Sequence, residues 1–234
     1  MRRSFRGMLH LFLIAVSLVA LLTPCILAAG SEDSSWKPLF DGKTTAGWRE
    51  YGKKEFPKTG WVVEDGCLKL FDGGRGANLV TEAEYEDYEF EWEWKLPAKA
   101  NNGVKYFVTE KRPSSPGHEY QMVDDSTIRD PRSKTATFYD VLPLQVESPI
   151  KPPGEWNKSR ILVRGNHVEH WLNGIKVLEY ELGSPEVKAA LQKSKFKDEP
   201  GFGDKIKGRI MLTDHHDEAW YRNMRIREFS SSKP

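Results

Sequence analysis

The sequence predicts an all-β fold, an antiparallel β-sandwich with one short surface helix, and three features carry that prediction. Strand-length runs recur every 8 to 12 residues along the chain. Turn dipeptides punctuate them at Asp65-Gly66, Asn102-Gly103, Gly165-Asn166 and Asn173-Gly174. A clear helical signature occurs once. Ser184 offers an N-cap, Pro185 suits the first helical position, and Val187, Ala190 and Leu191 form a one-sided apolar stripe that ends near Ser194. No internal repeat is visible, which disfavours a propeller or solenoid.

Residues 1–30 read as an export signal rather than as part of the fold. Arg2, Arg3 and Arg6 form a basic start, residues 11–22 an apolar core, and Ala28-Ala29-Gly30 a small-residue cleavage site. The apolar run is shorter than the roughly 20 residues a spanning helix needs. No membrane association is therefore expected once the signal is cleaved, and the protein is expected in the periplasm or outside the cell. Pro24 directly before Cys25 disfavours a lipid-anchor reading. Residues 31–234 are expected to form a single β domain, long enough to bury a core of ordinary size. Losing three arginines and no acids moves the formal charge from +1 to −2, which argues against a nucleic-acid partner held by a basic field. Cys67 would be the one remaining cysteine, so no internal disulfide is expected.

Each element follows from its residues. Residues 34–48 form an ordering arm, with Trp36, Leu39 and Phe40 ahead of an Asp41-Gly42 turn. Residues 61–71 read as a hairpin about Asp65-Gly66. Gly73 to Gly76 is a flexible turn, because neither a lysine-serine pair nor a helix follows to make a phosphate loop. A short strand over 77–81 follows. Residues 85–96 alternate strictly, with Tyr88, Phe90, Trp92 and Trp94 on one face and Glu89, Glu91, Glu93 and Lys95 on the other. The aromatic face needs burial, which sends the glutamates to solvent rather than into a glycosidase carboxylate array.

The Asn102-Gly103 turn leads into 104–109, where Val104, Tyr106 and Val108 oppose Lys105 and Phe107. Strand 118–123 sets Glu119 and Gln121 on one face and Tyr120 and Met122 on the other. A short run at 138–142 and a proline-bearing loop at 143–154 precede strands 155–163, 168–172 and 175–182. The last hairpin, 208–227, interrupts two apolar strands with Asp214-His215-His216-Asp217-Glu218. Gly, Asn or Pro would suffice for a turn, so this density of titratable groups points to a site at the sandwich rim.

Six segments, in this order and spacing, resemble one family. They are LFDGKTTAGW (39–48), NNGVKYF (101–107), GHEYQMVDD (117–125), TFYDVLP (137–143), GEWNKSRILVRGNHVEHWLNG (154–174) and GRIMLTDHHDEAWYRNMRIRE (208–228). The family is the 3-keto-disaccharide hydrolases, also described as 3-keto-glucoside lyases and 3-keto-2-hydroxy-glucal hydratases. The resemblance implies a concanavalin A-like jelly roll, export from a bacterial cell, and action on sugars oxidised at C3. The chain departs from the family's usual pattern with Asn102 for Ser, Thr213 for Gln, His216 for Gly and Tyr221 for Phe, while Asp214, His215, Arg222 and Asn223 remain.

A C3 ketone acidifies the C2 proton, so a base can remove it and expel the C1 aglycone by β-elimination before water adds. That chemistry needs a base, an acid and an enolate stabiliser. His215 is the candidate base or acid, since imidazole titrates near neutrality. Asp214 or Asp124 would orient it or share the proton work. Arg222 would stabilise the enolate, with Lys105 as a second cation. Glu119 suits proton transfer, Glu119, Gln121 and Asp124 suit sugar hydroxyls, and Tyr139 and Trp171 would wall a sugar ring. The Asp214–Asp217 run leaves room for a divalent zinc, manganese or iron, and Asp124 with Asp125 for a calcium, although neighbouring strand residues point to opposite faces. The expected partner is a small glycoside, and no dinucleotide fingerprint appears, so a separate sugar 3-dehydrogenase would act upstream. Two rival readings use the same sandwich: a sugar-binding module without turnover, and an ordinary glycosidase with paired carboxylates.

Overall fold

A computed structural model describes Met1 and residues 36–229, apart from 72, 74, 75 and 113–115. The expected signal segment lies outside the described residues, Met1 excepted. Strand β1 (Lys37–Pro38) opens the fold, followed by β2 (Trp48–Glu50), β3 (Trp61–Glu64), β4 (Cys67–Leu70) and β5 (Leu79–Thr81). The longer strands are β6 (Tyr88–Lys95), β7 (Asn101–Val108), β8 (His118–Val123), β9 (Asn157–Arg164), β10 (His167–Leu172) and β11 (Ile175–Glu181). Helix α1 (Pro185–Leu191) precedes β12 (Arg209–Leu212) and β13 (Ala219–Glu228).

The strands form two antiparallel sheets. One has eight strands, ordered β11-β10-β9-β6-β13-β4-β3 with β1 beside β13; the other has five, ordered β2-β5-β12-β7-β8. The chain passes repeatedly between sheets, which gives an all-β jelly-roll sandwich of the concanavalin A-like kind. The strict alternation of β6 sends Tyr88, Phe90, Trp92 and Trp94 into the core, where each is 2% exposed or less. Because aromatic rings fill the space between sheets, their polar tips need partners, and hydroxyls pin one sheet to the other. Tyr106 Oη meets His170 Nε2 at 2.8 Å and also bonds Tyr180; Tyr120 Oη meets Ser159 Oγ at 2.8 Å. On the outer face Glu89, Glu91 and Glu93 pair with Arg227, Arg225 and Arg222 of β13, so that face is a charge ladder whose arginines cover Glu89 and Glu91 rather than the solvated glutamate row expected.

Three expectations need correction. Asn102-Gly103 is not a turn but lies inside β7, with Gly103 paired to Gln121. The actual β6–β7 turn closes one step earlier, through Ala100 N donating to the Pro97 carbonyl, with Lys99 at φ 66°. Val108 does not share a face with Val104 and Tyr106. Phe107 sits at φ 52° and the β7–β12 register slips there, so Val108 packs with Val80 and Met211 apart from the main core. Residues 138–142 make isolated bridges rather than a strand. The expected hairpins at Asp65-Gly66 and Asn173-Gly174 form, both residues of each pair at positive φ as a type I′ turn requires. Ser184 Oγ accepts from Val187 N, and α1 is the one α-helix among the described residues. Cys67 is buried as a free thiol.

Candidate active site

Strands β7 and β8 pair with Lys105 opposite Glu119 and Gly103 opposite Gln121, so these four share one face of the five-stranded sheet. Glu119 lies at the centre, with its side chain 7% exposed. Lys105 Nζ is 3.6 Å from its Oε2, and His215 Nε2 is 3.7 Å from its Oε1. Burial by itself pushes the carboxyl up, but Lys105, His215 and Lys195 outweigh it and hold Glu119 below the ordinary carboxylate value. Glu119 is therefore an anion, with the Lys105 ammonium on one side and the His215 imidazole on the other. Gly103 makes this possible, because a Cβ there would run into the Glu119 carboxylate.

His215 reaches Glu119 because its neighbours fasten the turn. Asp214 Oδ2 accepts Gly76 N at 2.7 Å, its Oδ1 accepts His216 N at 2.8 Å, and its own N–H donates to Asn78 Oδ1. Asp217 Oδ2 accepts Asn101 N at 2.7 Å. The chain reverses at His216, whose φ is 71°, leaving the His215 side chain 38% exposed above Glu119. The acids thus build the turn, and the histidine between them is the free group.

The structure brings together His215, Glu119 and Lys105, with Gln121 buried two residues along β8. Tyr139 adjoins them: its N–H donates to the Glu119 carbonyl, and Lys195 Nζ lies 4.2 Å over its ring. Asp214 borders the site as a turn anchor. Two expected residues lie elsewhere. Arg222 projects from the eight-stranded sheet, with Nε 2.8 Å from Glu93 and its guanidinium stacked on Trp156, so it is not placed to meet an enolate at Glu119. Trp171 belongs to the same sheet, stacked against Arg160 and bonded to Glu169, and walls no ring beside Glu119. Period-two alternation gives each its sheet face but not which sheet. Asp124 caps a 3-10 turn at 125–127 and accepts Lys99 N, while Asp125 accepts Thr135 N.

Gly103 and Lys195 were not singled out from the sequence. Gly103 reads as turn chemistry, and Lys195 stands in a loop with no periodic signal. Among the described residues, metal-ligand spacing occurs at His167, Glu169 and Glu179 rather than at 214–217. There Lys176 Nζ already meets Glu179 at 2.6 Å and Glu169 at 3.3 Å.

The 3-keto-alpha-glucoside-1,2-lyase-like domain matches residues 35–227. A 3-keto-disaccharide hydrolase from Bacteroides thetaiotaomicron is 35% identical over 81% of this chain and 77% of its own length. The chain belongs to this lyase-like family. Two crystal structures from Parabacteroides distasonis, each provisionally described as a glycosyl hydrolase, are similar as well. One is 29% identical with a TM-score of 0.76, covering 84% of this chain and 95% of its own. The other is 28% identical with a TM-score of 0.67, covering 83% and 99%.

Within the family pattern, three of this chain's departures prove to be one cluster. Asn102 Oδ1 accepts from Thr213 Oγ1 at 3.0 Å, Tyr221 Oη at 2.8 Å and Gly103 N at 2.8 Å. This buried junction joins β7, the end of β12 and β13 of the facing sheet, directly beneath the His215 turn.

Proposed function

We propose that this protein cleaves the glycosidic bond of glycosides carrying a ketone at C3, by elimination followed by hydration. The observation that carries the reading is the buried, ionised Glu119 with His215 and Lys105 on either side. His215, held by Glu119, takes the C2 proton as general base, and Glu119 stabilises the imidazolium that results. The C2–H electron pair forms the enolate, whose developing O3 charge falls to Lys105. The electrons then return to expel the C1 oxygen, which leaves with the proton from His215. Water adds across the resulting double bond, hydroxyl to C1 and proton to C2, for a net hydrolysis.

A paired-carboxylate glycosidase needs a second carboxyl about 5–10 Å away, free to act. The Asp214 carboxylate in this turn is committed on both oxygens to backbone N–H groups. The ketone must come from a separate sugar 3-dehydrogenase. The basic, apolar and small-residue pattern of residues 1–30 supports the reading that the protein is exported and acts in the periplasm or outside the cell.

The test is release from a chromogenic 3-keto-glucoside beside the unoxidised glucoside. Release from the keto sugar alone is expected, falling about 10²- to 10⁴-fold in His215→Ala. Release from the plain glucoside would make this an ordinary glycosidase. Binding without release from either would make it a sugar-binding module.

A further inference from the structure

A second feature lies beside the His215 turn and contains none of the groups to which a catalytic step is given above. A pocket of about 250 Å³ is walled by Trp94, Leu96, Val123, Ile150, Pro152 and Pro153. We propose that it receives a flat apolar aglycone, such as an aromatic ring system, of the 3-keto-glycoside; this rests on the function proposed above.

Position is the first argument. Asp217 anchors the His215 turn to Asn101 N, and Asn101 pairs across the sheet with Val123, which forms a pocket wall. On the same backbone segment Lys99 N binds Asp124, which also lines the pocket. One rung of β7 and β8 therefore has the catalytic turn attached to it and the pocket beside it. A glycoside with its C1–C2 bond at His215 can extend its leaving group over that rung.

Size is the second argument. Complete small-molecule sites run to roughly 300–1,000 Å³, so this pocket suits one moiety of a ligand held elsewhere as well. Chemistry is the third. Apart from Glu155, an exposed residue of the lining, the polar side chains deepest in the walls are engaged by the protein. Trp94 Nε1 donates to Ser159, Asn157 Oδ1 accepts from Lys151 N and Asn173 Nδ2, and Asp124 accepts from Lys99 and Ser126. A second sugar ring would bring hydroxyls that find few free partners, whereas a ring system meets tryptophan, proline and aliphatic carbon.

The experiment compares kcat/KM for methyl, phenyl and 2-naphthyl 3-keto-glucosides and a 3-keto-disaccharide. Wild-type protein is expected to favour the two aryl substrates over the methyl glucoside and the disaccharide by about tenfold or more. Aryl leaving groups are intrinsically better, so the deciding arm is Ile150→Asp, with Ile150→Ala as the milder variant. Ile150 is half-buried in the covering loop and touches none of the proposed catalytic groups. The substitution should lower the naphthyl and phenyl values about tenfold and leave the methyl value unchanged, which also shows that the variant folds. Equal losses on all substrates, or no loss on the aryl ones, would overturn the pocket assignment while leaving the function standing. No turnover of any keto-glycoside by wild-type protein would overturn both.

Discussion

At Glu119 two opposing effects meet on one carboxyl. Burial favours the neutral form, yet Lys105, His215 and Lys195 keep the charge. The side chain retains its negative charge because the Lys105 ammonium lies beside it, and as an anion it can hold an imidazolium once His215 has taken a proton. Glu119→Gln preserves the shape and removes the charge. It should lower kcat on a 3-keto-glucoside about 10²-fold or more while leaving Tm nearly unchanged, since a desolvated anion goes with its partners' attraction. A normal kcat in that variant would remove Glu119 from the chemistry. Gly103→Ala should damage activity by another route, because the new Cβ and the Glu119 carboxylate claim the same space. It is expected to lower both kcat and Tm, the latter by an amount equivalent to about 1–3 kcal/mol. Loss of activity with an unchanged Tm would mean that the carboxylate can move aside freely.

Elements explain how these residues come to meet. The turn 214–218 is fastened at both ends by carboxylates on backbone N–H groups, and the Asn102 junction holds the strand beneath it. Asn102→Ala leaves the Tyr221 hydroxyl and Gly103 N–H without their acceptor, while Thr213 Oγ1 keeps the Gly103 carbonyl, and each buried unpaired group costs about 1–3 kcal/mol. Thr213→Val and Tyr221→Phe remove one donor each and should cost about 1 kcal/mol, with a double variant departing from additivity because both share one acceptor. Denaturant unfolding of the three variants checks this; equal effects in all of them would argue that Asn102 is not the hub. The same junction shows why a strong local signal misled. Asn-Gly is the usual dipeptide of a tight hairpin. Here pairing with β8 holds Gly103, and Asn102 is turned inward to three donors. Tertiary pairing overrode turn propensity. At Phe107 a single left-handed residue reversed the alternation that the sequence pattern extends through Val108.

Across the whole molecule, the aromatic core carries two buried histidines that set an acid limit. His118 is pushed down to about 3, first by burial and then by Arg112; His170 is pushed down to about 4 by burial. Both stay neutral in the fold, while in the unfolded chain each takes up a proton below about 6.5. The unfolded state then binds more protons, so stability falls as pH drops from about 6.5 toward 4. Carboxylates with lowered values, such as Glu91 and Glu119, add to the loss only below about 4.5. His167 works the other way. Although its partial burial lowers its value, Glu181 and Glu169 raise it overall, so its contribution grows as pH falls, but solvent screens it. Tm is therefore expected to decline between pH 6.5 and 5, and a flat Tm across that window would contradict the buried, neutral state of His118 and His170.

Local patterns determined much of this protein. Period-two alternation and turn residues specify the β class, the β6 face that is buried, the type I′ hairpins and the α-helix after Ser184, because each depends on residues adjacent in the chain. His215, Glu119 and Lys105 were recognisable by residue type and by the motifs around them. The five-stranded sheet decided that they meet, since Glu119 and His215 come from strands and turns far apart in sequence. Sheet membership also sent Arg222 and Trp171 elsewhere: alternation assigns a side chain to a face, and only long-range pairing determines which sheet has that face.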